Sequence, residues 1–122
     1  MLDLLKRAPA RFKKSFGYTW DAVLAMTAKE ESFRLEIIAF VLLAAILLAS
    51  PWPWWKVVAL ISCYLLIPLT ETLNSAIEDV CDLITREKNE TIKNAKDKGA
   101  LAVLLAIIVN AGVLVALLLM ED

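Results

Sequence analysis

Between residues 71 and 82 the sequence sets Glu71, Asn74, Ser75, Glu78 and Asp82 at offsets of 3, 4, 7 and 11 from the first. On an α-helix these offsets share one face. Carboxylates with an Asn amide form a hard-oxygen set, and Mg2+ binds through one or two carboxylates plus phosphate oxygens. A separate carboxylate close to a lipid hydroxyl suits a general base. The combination points to phosphoryl transfer from a water-soluble donor to a lipid. Other chemistries are poorly served. There is no histidine, which removes the usual zinc ligand and the usual general base together. No G-x-x-x-x-G-K-[ST] loop and no kinase glycine loop occurs.

The elements that must position this face are membrane helices. Of the 122 residues, 60% are hydrophobic, above the ~45–50% usual for soluble domains. Residues 35–50 form one apolar run, residues 57–69 a second and residues 100–120 a third. A membrane span needs about 20 such residues. We expect an all-α membrane protein of one domain, with an N-terminal surface helix over about 4–29 and transmembrane helices over about 31–50, 54–84 and 98–120. In the surface helix Phe12, Phe16, Trp20 and Leu24 recur every fourth residue, and a basic helix with an aromatic face suits a membrane interface. An ordinary docking helix fits the same pattern.

Charge sets the orientation. Seven Lys and Arg lie within residues 1–34 and five within 86–98, whereas the turn at 50–56 carries only Lys56 and the chain ends on Glu121-Asp122. By the positive-inside rule, the N-terminus and the segment around 85–98 face the cytoplasm, and the Trp-rich turn and the C-terminus face outward. The net charge of −1 gives no electrostatic reason to bind nucleic acid. With Trp54 and Trp55 at the outer interface, ~30 Å of hydrocarbon at ~1.5 Å per residue puts the inner boundary near Asn74. Glu71 then lies just inside it and Glu78 ~10 Å further out. The same reckoning puts Glu30, Lys96 and Asp97 in that cytoplasmic-side layer. Intramembrane ionisable groups mark function by default. The plainer reading is of solvated helix ends paired with Lys96 or Arg34. Asn110 reads as an interhelical hydrogen-bonding residue, and Pro68 as a kink just before Glu71. Cys63 and Cys81 lie 18 residues apart on one expected helix, ~27 Å and too far for a bridge.

Glu71-x-Leu73-Asn74-Ser75-Ala76-Ile77-Glu78-x-x-x-Asp82, followed by Ala95-Lys96-Asp97-x-Gly99-x-x-Ala102-Val103, closely resembles the prokaryotic integral membrane diacylglycerol kinases. Gly17-Tyr18-x-Trp20, and Glu30 with Phe33-Arg34-x-Glu36, fit as well, so the resemblance covers nearly the whole chain. It implies an ATP-dependent, Mg2+-requiring lipid kinase of the bacterial cytoplasmic membrane, assembled as a homotrimer with active sites shared between subunits. Glu71 matches the family's general base, and Asn74 an active-site polar residue beside it. Glu30 and Glu78 match the metal-binding carboxylates, which also contact ATP. Lys96 and Asp97 match nucleotide-contacting positions, with Lys96 suited to phosphate charge. Arg11, Tyr18, Glu87, Lys88 and Asn89 match further nucleotide contacts, although Asn89 often aligns with histidine in the family. Arg11, Trp20, Arg34, Glu36, Glu71 and Ala100 match the surroundings of the lipid pocket. A related branch phosphorylates undecaprenol and more often reads Ile-Asn-Thr where this chain has Leu73-Asn74-Ser75, which favours diacylglycerol as acceptor. An alternative of a different class is a non-catalytic scaffold whose basic helix binds anionic lipid, but a scaffold has no need of Glu71 and Glu78 at those depths.

Overall fold

The structure is a computed structural model and describes residues 1–121; Asp122, half of the acidic end read as outward-facing, and the side chains of Leu2, Leu4 and Leu5 lie outside the described residues. Among the described residues there are helices and no strands. The elements are α1 (Leu2–Lys29), α2 (Glu31–Ala49), α3 (Trp54–Tyr64), α4 (Leu66–Ile84) and α5 (Glu90–Leu119). The chain divides into two compact units, Met1–Ile38 and Ala39–Asp122.

In the first unit, α1 stops because Glu30 turns to extended backbone, φ −113° and ψ 113°, while its N–H still bonds Met26 O. The carbonyls left over at this C-terminus find a cation. Arg34 Nη1 donates to Thr27 O at 3.1 Å and to Ala28 O at 3.4 Å, which satisfies orphan acceptors and suits the negative end of the helix dipole. Phe12, Phe16, Trp20 and Leu24 are all exposed, so the apolar stripe of α1 remains uncovered in the single chain. Lys14 Nζ sits 5.9 Å from the ring centroid of Tyr18.

In the second unit the apolar runs become helices with small cores. Leu47, Val57, Leu60 and Leu117 cluster, flanked by Leu43, Trp52 and Val113, and this joins the end of α2, the start of α3 and the end of α5. Lys56 is buried there. Its ammonium donates to Met120 O at 2.7 Å and lies over the rings of Trp52 and Trp55. Most other apolar side chains, such as Leu42, Ile46, Leu105 and Val109, stay exposed, as expected where lipid tails rather than protein cover the surface. The segments Glu31–Ala49, Trp54–Ile84 and Glu90–Leu119 are each long and apolar enough to cross a membrane.

Two features depart from uniform spanning helices. The run Trp54–Ile84 is interrupted at Leu65. Pro68 has no N–H to offer Tyr64 O, and the interruption falls one residue beyond that carbonyl. Asn110 braces this region from α5, donating through Nδ2 to Cys63 O at 3.1 Å and to Ala106 O at 2.8 Å; it is the interhelical hydrogen-bonding residue expected. The second feature is the start of α5 at Glu90, ten residues ahead of the apolar stretch at Ala100. Asn89 caps this end, its Oδ1 accepting from Ile92 N at 3.1 Å, with Glu90 in the first turn near the positive end of the dipole.

Candidate functional site

The polar face of α4 begins where its apolar sequence ends. Glu71, Asn74 and Ser75 are half-buried and Glu78 is exposed. Asn74 Nδ2 donates to Glu78 Oε1, one turn on, at 3.4 Å. The other end of that amide is enclosed: Asn74 Oδ1 is buried and accepts no hydrogen bond. Buried Gly99 of α5 lies against it, and a Cβ at position 99 would overlap Oδ1 and sit 3.1 Å from Asn74 Cγ. The two helices also meet through charge. Lys96 Nζ of α5 contacts Asp82 Oδ1 of α4 at 2.6 Å. Lys93 and Asp97 pair one turn apart on α5.

Beyond this contact the end of α4, the segment 85–89 and the start of α5 enclose an open basin of about 850 Å³. Its lining includes Asp82, Arg86, Glu87, Lys88, Asn89, Lys93, Lys96 and Asp97. Such a volume falls within the ~300–1,000 Å³ of ordinary ligand sites. The wall mixes four cations with four acids, counted over the described lining, and its cations suit phosphate.

The sequence-expected residues therefore fall into groups. Glu71, Asn74 and Glu78 share one stretch of α4, and Glu87, Lys88, Asn89, Lys96 and Asp97 line one basin. Ala100 is exposed on α5 next to Gly99. Arg11, Tyr18, Trp20, Glu30, Arg34 and Glu36 belong to the first unit. There Glu30 and Glu36 are half-buried, while Arg11, Tyr18, Trp20 and Arg34 are exposed. Asp82 makes the pairing with Lys96 that the plainer sequence reading weighed, whereas sequence reading missed two roles: the cap made by Asn89 and the packing of Gly99 on Asn74. The first has a local signal, since Asn followed by Glu opens many helices. The second joins residues distant in sequence and leaves none.

The donors present would suit a Mg2+ that takes most of its oxygens from elsewhere than the protein. Among the described residues no three His, Cys, Asp or Glu side chains gather in a way that would hold a metal. Glu78 offers an exposed carboxylate, oriented by Asn74, of the kind that binds Mg2+ while phosphates supply the remaining oxygens.

Three helices long and apolar enough to cross a membrane, with a carboxylate face and a cation-bearing basin at one end of the α4–α5 pair, mark the chain as a multi-pass membrane protein. Residues 17–118 match the family model described as prokaryotic diacylglycerol kinase. Curated relatives bear the name diacylglycerol kinase. The protein of Escherichia coli strain K12 is 43% identical over 104 residues, or 81% of each chain. That of a Sinorhizobium species is 36% identical over 93 residues, 76% of this chain and 67% of the relative. That of Pseudomonas aeruginosa is 31% identical over 99 residues, 81% of this chain and 80% of the relative. The chain belongs to the prokaryotic diacylglycerol kinase family, and so is an enzyme and a multi-pass bacterial membrane protein.

Proposed function

We propose that this enzyme transfers the γ-phosphoryl group of ATP to the free hydroxyl of diacylglycerol at the cytoplasmic face of the membrane, giving phosphatidic acid and ADP. The observation that carries this reading is the placement on one helix pair of a half-buried carboxylate, Glu71, and a basin lined by Lys88, Lys96 and Asp97. Glu71 takes the proton of the lipid hydroxyl as its oxygen bonds to the γ-phosphorus, and the bond to the β-phosphate oxygen breaks to release ADP. Lys96 neutralises charge on the transferring phosphate, exchanging Asp82 for it. Glu30 and Glu78 would hold Mg2+, which draws charge from the phosphate oxygens when bound. Asn74 orients Glu78. Arg11, Tyr18, Glu87 and Asn89 contribute further nucleotide contacts, and Trp20, Arg34, Glu36 and Ala100 border the lipid.

The direct test is purified protein in mixed micelles with Mg-ATP and a panel of lipid alcohols, with products followed by mass. Diacylglycerol should be phosphorylated fastest. Faster turnover of undecaprenol would change the acceptor and leave the lipid kinase standing; no turnover of any lipid would remove the reading. Orientation rests on the Lys and Arg bias. After replacement of Cys63 and Cys81, Ser50→Cys should react with an impermeant thiol reagent from outside the cell and Asn89→Cys should not; the reverse pattern overturns it.

A further inference from the structure

We propose that Gly99 is a positioning residue for the metal-binding carboxylate, acting through Asn74; this rests on the reading of Glu78 as a Mg2+ ligand. Gly99 stands on α5 and is not among the residues that line the basin. What it supplies is the absence of a side chain. The space a Cβ would fill is occupied by the Asn74 carboxamide oxygen. That oxygen is buried without a hydrogen bond, an arrangement that costs stability unless something else is gained. The gain is the orientation of the other half of the amide. With Oδ1 lodged against Gly99, Nδ2 donates to Glu78 Oε1. The opposite amide orientation would turn an acceptor toward an acceptor-only carboxylate. The notch at Gly99 thus gives the carboxamide the room it needs for the pose in which Nδ2 reaches Glu78.

Geometry also tells how a methyl group would act. A Cβ at position 99 would overlap Oδ1 and crowd Cγ at 3.1 Å, yet would sit 3.7 Å from Asn74 Cα, an ordinary van der Waals distance. The α4 backbone has room, and only the carboxamide does not. Gly99→Ala should therefore rotate the Asn74 side chain rather than part the helices, and release Glu78 from it.

The test is a double-mutant cycle on the detergent-solubilised protein, comparing wild type, Asn74→Ala, Gly99→Ala and the double variant. Mn2+ binding in the presence of a non-hydrolysable ATP analogue, read by EPR, is set beside the Mg2+ concentration giving half-maximal rate. Gly99→Ala should weaken Mn2+ binding about ten-fold, the scale of lost support behind a metal ligand, and raise the Mg2+ requirement alike. Asn74→Ala should do the same, and the double variant should be no worse than Asn74→Ala alone. Losses that add in the double variant would overturn the proposal, as would a wild type that binds no Mn2+ with the analogue. Should Gly99→Ala fail to fold, the double variant must fold and match Asn74→Ala, because it has lost the clashing carboxamide; its failure too would overturn the proposal. A wild type that phosphorylates no lipid but keeps the Mn2+ cycle would defeat the lipid kinase reading and leave this inference intact.

Discussion

Glu71 and Glu78 are separated by about two turns of α4, and their surroundings differ accordingly. Glu71 is half-buried where apolar sequence gives way to polar, and Glu78 is exposed with Asn74 bonded to one oxygen. The same side-chain type is thus proposed for two tasks. A neutral amide cannot take a proton, so Glu71→Gln should lower kcat by several orders of magnitude while KM for ATP stays near the wild-type value, checked in one mixed-micelle assay. An amide at position 78 can still offer one neutral oxygen but no charge. Glu78→Gln should therefore lose most activity at low Mg2+ and regain part of it as the metal is raised; an unchanged Mg2+ dependence would reject the ligand role. The residue types and the shared helical face are open in the sequence. The partners that hold them are less open: Gly99 faces Asn74 across 25 residues of chain, and Asp82 faces Lys96 across 14. Such pairings depend on how two helices dock, which local spacing does not encode.

At the scale of elements, apolar runs make the spanning helices legible because lipid demands a minimum length of them. Their fine boundaries follow other rules. The interruption at Leu65 arises from the donor that Pro68 lacks, and the early start of α5 from the Asn89 cap; each lies outside the hydrophobic pattern. Asn110 makes the consequence testable. Its amide, in a half-buried position, bonds Cys63 O next to the interruption. Asn110→Leu keeps the bulk and removes the bond, at a cost on the order of 1 kcal/mol for a hydrogen bond between membrane helices. Thermal unfolding in detergent should shift down by a few degrees, with turnover per folded molecule unchanged. A large loss of kcat without a loss of stability would instead make Asn110 part of the active site.

At the scale of the whole molecule, one copy of the chain leaves its charged layer and most of its apolar surface uncovered. Glu78 and Asp97 are exposed, as are the aromatic stripe of α1 and the flanks of α2 and α5. Ionisable groups at the membrane boundary face a bundle interior or water, and three spanning helices cannot easily enclose such a layer. A homotrimer would bring nine spanning helices around it, consistent with the arrangement that the family resemblance implies. The resemblance also implies active sites shared between subunits. If a site takes Glu30 from one subunit and Glu71 from its neighbour, two inactive variants can complement each other. Glu30→Gln and Glu71→Gln, each inactive alone, are unfolded, mixed in equal amounts and refolded into lipid. A site is intact when its first subunit carries wild-type Glu30 and its neighbour wild-type Glu71, which random assembly of a cyclic trimer gives in about a quarter of sites. Activity should return to about that fraction of wild type, and crosslinking in the same bilayers should reach trimer and stop there. No recovered activity, with trimers still seen, would place both carboxylates of each site on one subunit. Full wild-type activity from a chain that crosslinks only as monomer would remove the trimer itself.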